Sequence, residues 1–76
     1  MDDRTDEQII KDFGNTLNKI MEREGITFRE LSARTGLNLG NLSDLAAGRR
    51  NPLMSTIVRL ADALGVQPGD LFTFDK

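Results

Sequence analysis

The stretch ITFRELSARTGLNLGNLSDLAAGRRNP, residues 26–52, reads as two short helices joined by a tight turn and followed by a basic loop. Thr27 and Glu30 form a T-x-x-E capping box: the hydroxyl accepts from an orphan amide while the carboxylate reaches back to the cap. Gly36 suits the left-handed residue that ends the first helix, and Asn38 suits the N-cap of the second. Leu31, Leu37, Leu42 and Leu45 then turn one apolar stripe from both helices toward a common core. Leu39, Gly40, Asn41, Ser43 and Asp44 are left on the outward face of the second helix. Such a pair of helices is the form in which one short helix is presented to a DNA groove.

Working outward, Thr5-Asp6-Glu7-Gln8 is a second capping box, with acids in the first turn of a longer helix. Ile10, Phe13, Leu17 and Ile20 recur at three- and four-residue intervals, with Ile9 and Met21 beside them. This helix runs to Glu24 and stops at Gly25. Gly14 inside it costs roughly 1 kcal/mol relative to alanine and marks a close approach. On the other side, Pro52 pushes Asn51 out of the helical region. A further helix from Met54 or Ser55 to Leu64 carries Ile57, Leu60, Ala61 and Leu64 on its buried stripe and ends at Gly65. Pro68 opens a last short helix through Leu71. The expectation is one all-α domain of five helices around one core, with a polar acidic arm at 1–8, the helical domain at 9–72 and a short tail at 73–76.

Seventy-six residues sit near the lower limit for a self-sufficient core. With no cysteine there is no disulfide or thiolate metal site. The absence of histidine removes the commonest metal ligand and the usual general base. No enzyme, metal, cofactor or small-molecule ligand is expected. The acidic start lacks the pattern of a secretion signal and no apolar run matches a bilayer, so a cytoplasmic protein without a membrane partner is expected.

A net charge of −2 argues against a general polyanion binder. Its distribution is more telling. Residues 1–24 carry a net −3 and residues 53–76 a net −1, whereas residues 25–52 carry +2 through Arg29, Arg34, Arg49 and Arg50. The only positive segment is the one patterned as two short helices.

Phe13-Gly14-x-x-Leu17, Gly25-Ile26-Thr27, Glu30-Leu31, Gly36-Leu37, Leu42-Ser43, Gly48-x-Arg50-Asn51-Pro52, Leu60-Ala61-x-Ala63-Leu64-Gly65-Val66 and Asp70-Leu71-Phe72 occur in an order and spacing that resemble the phage-repressor and Cro type of helix-turn-helix, the XRE family. The resemblance spans residues 9–72. It implies a five-helix, lambda-repressor-like domain and a sequence-specific transcriptional regulator. Such a protein would bind double-stranded DNA at an inverted-repeat operator, as a homodimer, through helix 38–47.

The resemblance also implies roles. Helix 38–47 would lie in the major groove with Leu39, Gly40, Asn41, Ser43 and Asp44 toward the bases. Asn41 could pair bidentately with adenine, Asp44 could accept from a cytosine amino group, and Leu39 could pack on a thymine methyl. Thr27, Arg34, Asn38, Arg49, Arg50 and Asn51 would meet phosphates. Capping accounts equally for Thr27 and Asn38, and pairing with Glu30 for Arg34. Met54, Val58, Phe72 and Phe74 are the candidates for a dimer surface. Phe28 stands where family members often carry glutamine. That substitution, Asp44 and the acidic first helix leave room for a second reading: a protein-interaction module, such as an antitoxin or accessory subunit, with weak or no DNA binding.

Overall fold

The computed structural model describes residues 3–74 and is all-helical over them. Helix α1 spans Asp6–Glu24. It starts because Thr5 Oγ1 accepts from Gln8 N at 3.2 Å while Thr5 N donates to Gln8 Oε1 at 3.1 Å. Asp6, Glu7 and Gln8 of the acidic arm therefore form its first turn. Helix α2, Phe28–Thr35, starts from the reciprocal bonds of Thr27 and Glu30. Helix α3, Leu39–Ala46, is capped by Asn38, whose Oδ1 accepts from Asn41 N at 2.7 Å. Helix α4, Met54–Leu64, has no side-chain cap at Leu53 and closes at Gly65.

The fifth expected α-helix is instead a 3-10 helix, Pro68–Phe72. Five residues opened by a proline, which donates no amide hydrogen, allow only a brief run of i→i+3 bonds. Asp70 N donates to Gln67 O at 2.9 Å, and Thr73 N to Asp70 O at 3.4 Å. The architecture is thus four α-helices and one 3-10 turn.

Six leucines, Leu17, Leu31, Leu42, Leu45, Leu60 and Leu71, are fully buried, at least one from each element. Burying such a side chain contributes roughly 1.5–3 kcal/mol, so these residues dominate the attraction between elements. Phe13, Ile20, Met21, Ala46, Ala61 and Leu64 complete the core. Leu37, Phe28, Ile57 and Val66 pack against its edge. Phe28 is therefore spent on packing at the start of α2.

Helix α1 packs on α3 and on the 3-10 turn, while α2 bridges α3 and α4. The α1–α3 contact is unusually close. A Cβ at Gly14 would stand 2.7 Å from the carbonyl oxygens of both Leu45 and Ala46. One turn further along α1, Asn18 Nδ2 donates to Ala46 O at 2.9 Å, satisfying a carbonyl that the end of α3 leaves open. The C-terminal end of α3 is thereby fixed to the longest helix, and its N-terminal turn points away.

Candidate nucleic-acid interface

The turn between α2 and α3 sets the presentation of the second helix. Gly36 takes φ +78°, which only glycine adopts without strain, and reverses the chain. Ser32 Oγ donates to Leu37 O, Thr35 Oγ1 donates to Leu31 O at 2.7 Å, and Leu37 N donates to Thr35 Oγ1 at 3.1 Å. Three local bonds through short side chains make this turn rigid, and a rigid turn fixes the angle at which α3 leaves α2.

On α3, Leu42, Leu45 and Ala46 point inward. Leu39, Gly40 and Ser43 are exposed on the opposite face, with Asn41 and Asp44 half-buried at its flank. Leu39 keeps 44% of its surface, unusual for a leucine in the first turn of a helix packed by its neighbours. Gly40 is uncrowded: an added Cβ would meet only Asn38 Oδ1, at 3.6 Å. No close approach requires a glycine there.

Asn41 is placed differently from a freely extended reader. Its side chain borders a hollow of about 110 Å³ shared with Leu45, Arg50, Pro52 and Leu53. Its Oδ1 is buried without a hydrogen-bond partner. The bidentate adenine pairing expected from the sequence requires the amide to rotate out of the hollow, which the unsatisfied oxygen favours.

The chain leaves α3 through Ala47 and Gly48. At Gly48, φ is +74° and an added Cβ would lie 2.9 Å from Lys11 Cα, so the loop exits pressed against α1. Arg49 and Arg50 follow, both exposed. Asp44 of α3 accepts from Arg49 Nη2 at 3.0 Å and from Arg49 Nε at 3.2 Å, both on Oδ1. Its Oδ2 lies 3.6 Å from Arg50 Nη2. Helix α3 and the basic loop are thus brought together. Asn51 is exposed beside them.

Two of the expected phosphate residues, Thr27 and Asn38, have side chains engaged as N-caps. Arg34 does not pair with Glu30: its Nη1 donates to Ala63 O at 2.9 Å, while the residue stays exposed. A cation at the C-terminal end of α4 also meets the favourable end of the helix dipole. Sequence separation hid this bond, since a link across 29 residues leaves no local signature.

The four apolar surface candidates separate by environment. Met54 and Val58, one turn apart on α4, are 82% and 43% exposed. Leu53, which the sequence reading passed over, is 72% exposed beside them. Its position just before an uncapped helix start was the available signal. Phe72 lies 6.1 Å from Phe13 and 6.2 Å from Phe74, centroid to centroid. Arg4 covers the Phe74 ring at 5.1 Å and pairs with Asp12 at 3.2 Å. Phe74 is thereby half-buried, whereas Phe72 keeps 49% of its surface, more than Val58. Among the described residues there is no group of three or more His, Cys, Asp or Glu able to hold a metal ion. Among those residues no helix is long and apolar enough to cross a membrane.

An outward short helix, a rigid turn before it and paired cations after it define a helix-turn-helix DNA-binding domain. A family model for the Cro/C1-type helix-turn-helix DNA-binding domain matches residues 16–76, and the chain belongs to that family. It is 40% identical over 60 residues to an uncharacterized HTH-type transcriptional regulator, y4dJ, of Sinorhizobium fredii, covering 79% of this chain and 78% of the relative. Among solved structures it is similar to the restriction-modification controller protein C.AhdI of Aeromonas hydrophila. That match has 28% identity and a TM-score of 0.80, and covers 83% of this chain and 96% of the other. The clp gene regulator ClgR of Corynebacterium glutamicum matches with 27% identity and a TM-score of 0.79, covering 83% and 82% of the two chains. The chain is a DNA-binding transcription regulator of this class.

Proposed function

We propose that the protein binds an inverted-repeat operator as a homodimer, with α3 in the major groove of each half-site, and acts by occupancy rather than catalysis. The carrying observation is that the basic loop is joined to the end of α3, Arg49 N donating to Asp44 O at 2.9 Å and both guanidiniums lying beside the Asp44 carboxylate, so helix and cations are presented together. Leu39, Gly40, Asn41, Ser43 and Asp44 supply base contacts, and Arg49, Arg50 and Asn51 fix register on the phosphates. Thr27 and Asn38 contribute through the amides they orient at two helix starts, where the dipole favours an anion. Arg34, exposed but with one donor engaged by α4, contributes at most a flank contact.

Base reading by one copy is thin, because a good bidentate contact adds about 1–3 kcal/mol of discrimination and α3 holds few groups able to make one. Two half-sites read together supply the missing selectivity. Leu53, Met54, Val58 and Phe72, all exposed apolar residues, are the surface proposed for joining two copies. DNA as partner places the work in the cytoplasm.

Selection from random duplexes, with binding repeated over a salt series, tests this reading. The expected result is an inverted-repeat consensus with half-sites about 34 Å apart and a steep salt slope. Enrichment of a single half-site by a monomer would overturn the dimer. Negligible binding at every salt would favour the protein-interaction module, a reading that the exposed Leu53 and Met54 also suit.

A further inference from the structure

We infer that Asp44 is a built-in competitor for the phosphate-binding arginines, holding Arg49 and Arg50 partly neutralised so that the domain binds non-specific DNA weakly. The inference rests on the DNA-binding reading and concerns how that same surface is tuned. Each carboxylate oxygen faces a different guanidinium: Oδ1 meets Arg49 at 3.0 Å and Oδ2 meets Arg50 at 3.6 Å. The pairing is reinforced through the backbone, because Arg49 N donates to Asp44 O at 2.9 Å, which fixes the first cation over the end of α3. A carboxylate and a phosphate present the same acceptor chemistry to an arginine, so they compete for the same donors.

The competition is close. The side chains of Arg49, Arg50 and Asp44 keep 63%, 53% and 37% of their surface. Exposed pairs of this kind hold weakly and open readily. An arriving phosphate can therefore take the guanidiniums, but it must displace Asp44, and the displaced carboxylate is left beside a polyanion. On random sequence nothing compensates that repulsion. Asp44 thus lowers the cation count felt by bulk DNA from two to about one without removing either arginine.

The test is a binding cycle on a labelled random-sequence duplex, read by fluorescence anisotropy over a salt series, with circular dichroism confirming the fold of each variant. The proteins are the wild type, Asp44→Asn, Arg49→Gln/Arg50→Gln, and the triple substitution. Asp44→Asn is expected to bind roughly five- to tenfold more tightly at about 0.1 M salt, with a log–log slope steeper by about 0.9, the signature of one more phosphate neutralised. In the Arg49→Gln/Arg50→Gln background the gain is expected to be clearly smaller, because only the carboxylate's own repulsion of DNA is then relieved. An unchanged affinity for Asp44→Asn would overturn the inference, as would an equal gain in both backgrounds, which would make Asp44 a direct repeller of DNA. Absence of binding by every protein at the lowest salt would overturn the DNA-binding reading along with it, and so differs from either result.

Discussion

Gly14→Ala is expected to lower the melting temperature by roughly 5–15 °C, although alanine is the better helix former. An added methyl at this position meets two backbone carbonyls at 2.7 Å, those of Leu45 and Ala46. Backbone cannot rotate aside as a side chain can, so α1 and α3 must separate. Overpacking of this kind costs about 1–3 kcal/mol and more when backbone has to move. The gain in helix propensity returns about 1 kcal/mol. Separation also strains the Asn18–Ala46 bond and re-aims α3, so DNA affinity falls further than stability alone dictates. Gly40→Ala is the internal control. It meets only a side-chain oxygen at 3.6 Å and is expected to gain about 0.5–1 kcal/mol from the same propensity difference. Thermal unfolding followed by circular dichroism measures both. A Gly14→Ala protein as stable as the wild type would show that the α1–α3 contact is looser than described.

Reversal of both loop cations, Arg49→Glu/Arg50→Glu, is expected to weaken DNA binding on the order of 100-fold at about 0.1 M salt and to flatten the salt dependence. Both side chains are exposed and their ion pairs are with Asp44, so the loss belongs to the interface. Exposed ion pairs contribute about 0–1 kcal/mol, and the melting temperature should move by only a few degrees. Gel retardation beside thermal unfolding separates the two effects. Undiminished retention would place the phosphate contacts on another surface. Loss of DNA binding with an unaltered fold is the outcome that assigns them to this loop.

The helices were legible in the sequence because their ends are written locally. Thr5 with Gln8, Thr27 with Glu30, and Asn38 each act within three residues, and the structure shows each bond. The leucine periodicity located the core for the same reason. The last element was misjudged because Pro68 marks the first turn of an α-helix and of a 3-10 turn alike, and only its five-residue length separates them. Long-range side-chain bonds left no local trace: Asn18 to Ala46 and Arg34 to Ala63 each cross more than 25 residues. The Asp44–Arg49 pair was hidden for a subtler reason. Its spacing of five residues falls outside helical i,i+4 pairing and closes only because the chain turns at Gly48. The enclosed Asn41 oxygen likewise depends on where the loop 50–53 returns, which residue spacing alone does not specify.

The most direct measurement is amide chemical-shift mapping of the full chain titrated with a duplex obtained by selection. Shifts concentrated on Leu39–Asp44 and on Arg49–Asn51, with α4 beyond Val58 unmoved, are the predicted result. Shifts centred on α1 or the 3-10 turn, leaving α3 and its basic loop silent, would contradict the account.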